Sequence, residues 1–222
     1  MTVVLVVLTL ATLILIDYLQ SRKKVTVAEL EAAGNGATSQ ARPECVSGFR
    51  LPGNVRFHLG HTWALRESPT LVRVGIDDLA ARMIGRADSI FLPRRGQWIR
   101  QGQKIFSFFK EGSKIELLSP IEGEVTSVNE EVVNHPSLLD SDPYGDGWLL
   151  TVISPDAETN FRNLLGGNLA RQWMVEEASR LSTKVPAPIP VAVHHNGDES
   201  SAISPQISGQ SWTELTHEFF RV

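Results

Sequence analysis

Residues 105–125 read IFSFFKEGSKIELLSPIEGEV, with two apolar runs, 105–109 and 115–118, on either side of the polar Lys110-Glu111-Gly112-Ser113-Lys114. That pattern predicts two antiparallel strands folded about a tight turn, with Gly112 supplying the positive φ such a turn needs. Ser119-Pro120 forbids a continuing central strand because proline donates no backbone N–H, and Ile121-Glu122-Gly123-Glu124-Val125 restarts the alternation behind a second turn. The folded part is therefore organised around a β-hairpin.

The flanking text carries further signals. Upstream stand His61-Thr62-Trp63, Val74-Gly75-Ile76 and Leu92-Pro93 followed by Gly96; downstream come Val128-Asn129-Glu130 and Asp142-Pro143-Tyr144-Gly145-Asp146-Gly147-Trp148. With the hairpin, its Ser-Pro exit and Gly123-Glu124-Val125, this segment resembles the glycine cleavage system H-protein, a lipoyl-carrier family, over about residues 51–181. The resemblance implies a β-dominated α+β fold, the barrel-sandwich hybrid of lipoyl- and biotinyl-carrier domains, with short helices. It also implies a lysine at the hairpin tip carrying lipoate in amide linkage and a glutamate three positions earlier. Here those places hold Gly112 and Phe109, and the asparagine the family sets before Asp-Pro-Tyr is Asp140. Glycine has no amine to acylate, so the resemblance points to a divergent homologue lacking the lipoyl lysine, with no cofactor expected. The alternative is a lipoyl carrier, linked to glycine cleavage, modified at Lys114 or Lys110. Lys114 keeps the side of the strand but sits on the descending limb; both lysines also serve as turn solvation and edge protection.

Residues 1–16 are free of charge, and with Tyr18 and Leu19 beyond Asp17 the apolar stretch reaches 18 or 19 residues, the short end of a membrane-spanning helix. A cleaved signal peptide would have a basic residue before the run and a small-x-small site after it, and neither is present. Arg22-Lys23-Lys24 follows at once, and basic flanks stay cytoplasmic. The expectation is one transmembrane helix in an inner or plasma membrane, single-pass, with the soluble domain facing the cytoplasm. The formal charge of -4 gives no basic footprint for nucleic acid. The single cysteine, Cys45, cannot form an internal disulfide.

The chain divides into an anchor at 1–20, a linker at 21–47, the H-protein-like domain at 48–182, a Pro-, Ser- and Gly-rich linker at 183–210 and a short amphipathic helix at 211–222. Within the linker, 25–33 could form a short helix before the flexible 34–40. Residues 55–58, 62–65 and 70–74 alternate as strands, and 77–84 reads as a helix capped by Asp77 and ended by Gly85. Further strands are expected at 89–92, 97–99, 125–128 and 148–153, the last closing the barrel. Residues 134–147 read as turns throughout. Ser154-Pro155 and Asn168 are expected to open two helices. The terminal helix carries Trp212, Leu215, Phe219 and Phe220 on one face behind a Ser211-x-x-Glu214 capping box. It either folds back on its own domain or docks a partner or the membrane.

His58 and His61 lack the further ligands a metal site needs and read as packed side chains beside Trp63. Glu130, Glu131, Asp140, Asp142 and Asp146 lack the alternation of a calcium loop and read as a solvated rim. Arg94, Arg95, Arg100 and Lys104 form a basic edge, suited to solvent or to an acidic partner. No nucleophile elbow, phosphate loop, zinc set or paired-carboxylate cleft is present, so the chain is not expected to be an enzyme. A non-catalytic, protein-binding or scaffolding module is the expectation.

Overall fold

The computed structural model describes residues 44–185 and 210–221. The expected anchor, its basic flank, the helix at 25–33, the linker at 34–40 and the tail at 186–209 all lie outside these residues, as does the side chain of Trp212. Among the described residues no helix is long and apolar enough to cross a membrane.

Among the described residues three sheets make up the β structure. β1 (Glu44–Val46) and β2 (Phe49–Leu51) form a small antiparallel pair. A six-stranded sheet has the order β3-β4-β5-β11-β10-β7, built from β3 (Arg56–His58), β4 (Thr62–Arg66), β5 (Leu71–Ile76), β7 (Trp98–Ile99), β10 (Gly123–Val128) and β11 (Leu150–Ile153). The third sheet has the order β6-β8-β9: β6 (Ser89–Phe91), β8 (Lys104–Lys110) and β9 (Ser113–Leu118). Val72 and Val74 of β5, Phe106 and Phe108 of β8, Ile115 and Leu117 of β9 and Val152 of β11 all enter one hydrophobic core. Their two-residue spacing is what puts them on one face of each strand. Two sheets closing on a shared core give the barrel-sandwich arrangement.

Among the described residues six helices accompany the sheets: α1 (Asp78–Ile84), α2 (Glu130–Asn134), α3 (Leu138–Ser141), α4 (Ala157–Arg162), α5 (Gly167–Lys184) and α6 (Gln210–Phe220). α1 begins and ends as its sequence directs. Asp77 accepts a hydrogen bond from Ala80 N–H at 2.8 Å, and Gly85, at φ 59°, closes it by donating to the Ala81 carbonyl. Trp63 is fully buried, and its ring lies where any side chain at Gly75 would go, 2.5 Å from an ideal Cβ. Only glycine lets the β5 backbone approach that ring.

A buried ionic cluster joins distant segments. Asp78, fully buried, accepts from Arg50 N–H at 3.0 Å, Arg50 Nε at 2.8 Å and Arg82 Nη2 at 2.6 Å. Tyr144 donates to the Arg50 carbonyl at 2.8 Å and accepts from Asp78 N–H at 3.1 Å, which ties the Asp-Pro-Tyr turn to α1. Burial drives the Tyr144 phenol well above its ordinary value.

Several local expectations change. The strand expected at 148–153 runs from Leu150 to Ile153 as β11 and pairs on both sides, with β5 and with β10. Residues 134–147 contain a helical turn at α3. α4 starts at Ala157 behind Asp156, and Ser154 caps nothing: its Oγ finds no partner among the described residues. α5 starts one residue before Asn168, behind Gly166 in extended backbone. Cys45 lies exposed in strand β1, within what the sequence assigned to the linker at 21–47.

Candidate functional site

The hairpin tip is a two-residue loop. Lys110 pairs with Ser113, and between them Glu111 and Gly112 adopt φ 49° and 78°. Positive φ at both central positions is the requirement of a type I′ turn, whose twist matches that of the flanking strands. Glu111 bears this conformation because its N–H is held by Asp88 Oδ2 at 2.8 Å, while Asp88 N–H donates to the Phe109 carbonyl at 2.8 Å. Gly112 projects into open space, with nothing within 4 Å of an ideal Cβ. The apex is thus the most accessible point of the hairpin, and it carries no amine.

The two candidate lysines are both engaged. Lys110 turns back from the tip and donates to the Ile84 carbonyl at 2.9 Å, satisfying a free acceptor at the end of α1. Burial lowers its amine below the ordinary lysine value, while the carboxylates of Glu111, Asp88 and Asp140 act the other way. A lowered value enriches the neutral, nucleophilic amine, but this one is turned into the protein and away from the apex. Lys114 is half-exposed on β9 and donates to Glu116 Oε1 at 2.7 Å. That bond holds the Glu116 carboxyl below the usual carboxylate range. Sequence reasoning did not single out Glu116 and Asp88. Lys114-x-Glu116 places both side chains on one strand face and was the signal for the first; Asp88 lies 23 residues from Glu111 and had none.

Phe109 points to the outer face of the hairpin sheet, where its ring meets Phe91 edge-on at 5.3 Å. Asp140 offers its carbonyl to Arg50 Nη2 at 3.1 Å.

Beside β9 lies α6, which folds back on its own domain. Leu215, Phe219 and Phe220 are buried, and Glu218 bonds Arg180 at 2.9 Å and also Lys184, both on α5. Glu218 is held below its ordinary value first by Lys184 and then by Arg180. His61 is fully buried with Nδ1 2.8 Å from Asp77 Oδ2. Its ring lies 4.9 Å from Trp173, 6.2 Å from Phe219 and 6.0 Å from Phe220, so α5 and α6 both pack against it. His58 Nδ1 instead accepts from Gly60 N–H at 3.0 Å. Asp142 accepts from the N–H groups of Gly145 and Asp146, at 3.1 and 3.0 Å, as a turn-forming side chain.

The family model for the glycine cleavage H-protein matches residues 55–177. The chain belongs to the glycine cleavage H-protein family. The glycine cleavage system H protein of Mycobacterium avium (strain 104) is 36% identical over 107 residues, 48% of this chain and 81% of the relative. That of Pseudoalteromonas atlantica is 32% identical over 108 residues, covering 49% and 84% respectively. The crystal structure of the Mycobacterium marinum H protein aligns with a TM-score of 0.48 and 25% identity, over 57% of this chain and 98% of that one. The H-protein family match ends at residue 177, within α5, so α6 lies beyond it. The hairpin and its tip, Glu111-Gly112, lie inside the matched residues.

Proposed function

We propose that this H-protein-family domain carries no lipoyl group and works as a membrane-tethered module that binds or scaffolds another protein, without catalysis of its own. One observation carries the reading: the apex is Glu111-Gly112, and the amines on either side are committed to Ile84 and Glu116. An acyl-carrying lysine needs an unobstructed amine at a defined apex position, because attachment enzymes and downstream sites read that geometry. The tether is drawn from the uncharged residues 1–16 and the following Arg22-Lys23-Lys24, which set the domain on the cytoplasmic side of an inner or plasma membrane.

Intact mass of the natively expressed, detergent-extracted chain tests the first part, with an unmodified mass as the expected result. A lipoyl increment mapped to Lys114 or Lys110 refutes it and supports the carrier alternative, which the half-exposure of Lys114 favours over Lys110. Cys45, exposed and the only cysteine, tests the second part. A membrane-impermeant maleimide is expected to label it only after the membrane is breached; labelling in intact cells would reverse the orientation.

A further inference from the structure

Between Asp88 and Glu111 there is no acidic residue, whereas Arg94, Arg95, Arg100, Lys104 and Lys110 all fall there. The whole chain carries -4, so with these five positive charges set aside the remainder carries -9. Charge is therefore segregated along the chain, and the structure keeps it so. Arg66, Arg73, Arg171 and Arg180, comparably open to solvent, each hold a carboxylate within 4 Å. Arg94, Arg95 and Arg100 hold none among the described residues.

Two matching turns present these arginines. Arg94-Arg95-Gly96-Gln97 and Arg100-Gln101-Gly102-Gln103 share the form Arg-x-Gly-Gln, six residues apart. In each the glutamine N–H donates to the arginine carbonyl at 3.0 Å, and the glutamine Oε1 accepts from the arginine N–H, at 3.1 Å in the first and 2.9 Å in the second. The glycines take φ 80° and 77°. Gly96 N–H is further pinned to the Val125 carbonyl at 2.7 Å and Gly102 N–H to the Ser119 carbonyl at 2.8 Å. Between the turns runs β7, the edge strand of the six-stranded sheet, whose Trp98 is 50% exposed. Phe91, at the head of the same stretch, is 60% exposed.

We propose that these twin turns and Trp98 form a docking surface for an acidic segment of a partner protein, one with an apolar side chain between carboxylates. Arg94 and Arg100 supply planar guanidinium groups that match carboxylates bidentately, and Trp98 supplies the apolar anchor. Free arginine with exposed tryptophan is the composition of a protein-binding centre. The clamped backbone means that little ordering is needed on binding. Anionic bilayers are recognised instead by mobile lysine-rich segments or amphipathic helices, which these turns are not. The inference deepens the binding-module reading and rests on it.

The test uses the full-length chain and three probes: a fluorescein-labelled octapeptide alternating glutamate and leucine, an octaglutamate of the same length, and phosphatidylglycerol vesicles. Wild type is expected to bind the mixed peptide more tightly than octaglutamate, with salt sensitivity. Arg94→Glu/Arg100→Glu should weaken it by at least about tenfold, and Arg94→Gln/Arg100→Gln applies the same test without charge reversal. Trp98→Ala should abolish the preference for the mixed peptide. The control Arg86→Glu/Arg162→Glu, also exposed, should stay within about twofold of wild type. Failure of the mixed peptide to bind, equal loss in the control, or binding confined to vesicles would each overturn the proposal. Intact mass separates the two failures, since a lipoylated chain could still pass this test and an unmodified one could still fail it.

Discussion

Gly112→Lys restores an amine at the apex and isolates the one difference on which the functional reading depends. The steric cost is small, because nothing lies within 4 Å of the Cβ position. The conformational cost is set by φ 78°, a left-handed setting that disfavours an L-residue by about 1–2 kcal/mol. At about 2–4 °C of Tm per kcal/mol for a chain of this size, the melting point should fall by about 2–8 °C. A domain stable by about 5–15 kcal/mol remains folded under that load. Wild type and variant, each incubated with lipoate, ATP and a lipoate-protein ligase, are then compared by intact mass and peptide mapping. Wild type should stay unmodified and Gly112→Lys should gain one lipoyl group. Phe109→Glu/Gly112→Lys should gain it faster, at the cost of the Phe91 edge contact, about 0.5–1.5 kcal/mol. Lipoylation of wild type at Lys114 or Lys110 would refute the reasoning. So would a folded Gly112→Lys that stays bare, since the missing amine would then not be what prevents attachment.

Phe219→Ala removes a buried ring from α6, a change that in a core costs about 3–5 kcal/mol. Because 25 residues of sequence, 185–209, separate α6 from α5, the loss should appear as detachment of the helix: hydrogen exchange should accelerate over 210–220 while the body keeps its melting point to within a few degrees; cooperative loss of the whole fold would contradict this. Asp78→Ala removes the buried carboxylate that both Arg50 and Arg82 contact, which should cost about 3–5 kcal/mol and lower Tm by about 6–20 °C. A fall no larger than that of an exposed-pair control such as Glu158→Ala would show the cluster to be marginal. His58 is held below its ordinary imidazole value of 6.5, first by burial and then by Arg221 and His61. Below pH 6.5 the unfolded chain therefore takes up a proton that the folded chain resists, so stability should fall as pH drops from there toward the lowered folded value. Protonating Nδ1 also removes the acceptor for Gly60 N–H. His58→Asn should flatten that part of the denaturant midpoint against pH; an unchanged slope would assign the effect elsewhere.

Features written in local chemistry were legible in the sequence. The hairpin, the Asp77 cap, the Gly85 stop and, on the apolar face of α6, Leu215, Phe219 and Phe220 all follow from spacing of a few residues, and each appears where expected. What escaped depended on distant partners. β1 is three residues long and lacks alternation; it exists because β2 pairs with it. The Ser154 and Asn168 caps were plausible in isolation but lost to neighbouring backbone geometry. Asp78 and Arg82 carry charge, which sequence patterns assign to the surface; their burial is tolerable because they pair with each other and because distant groups, Arg50 at 28 residues and the Gly48 carbonyl at 34, complete the cluster. At the candidate site, the missing amine was readable from Gly112 alone. The engagement of Lys110 was not, because it depends on where α1 ends relative to the tip.

The chemistry displayed at the hairpin apex and the stability of the fold are set by different residues. The groups that hold the hairpin lie off its apex: Phe106 and Phe108 pack beneath β8, Ile115 and Leu117 beneath β9, Phe109 meets Phe91 on the outer face, and Asp88 holds the turn through backbone N–H. The apex side chain touches nothing, so the chemistry displayed there and the stability of the domain are separable quantities. A lysine at that point would add no packing, and a glycine removes none; glycine in fact suits the positive φ better. The amines that remain nearby have structural roles, one against the carbonyl of Ile84 and one against Glu116. An apex free of structural duty can thus exchange its chemistry while the scaffold stays intact. If Gly112→Lys regains lipoylation with only the small melting loss expected from its φ, that separability is established directly.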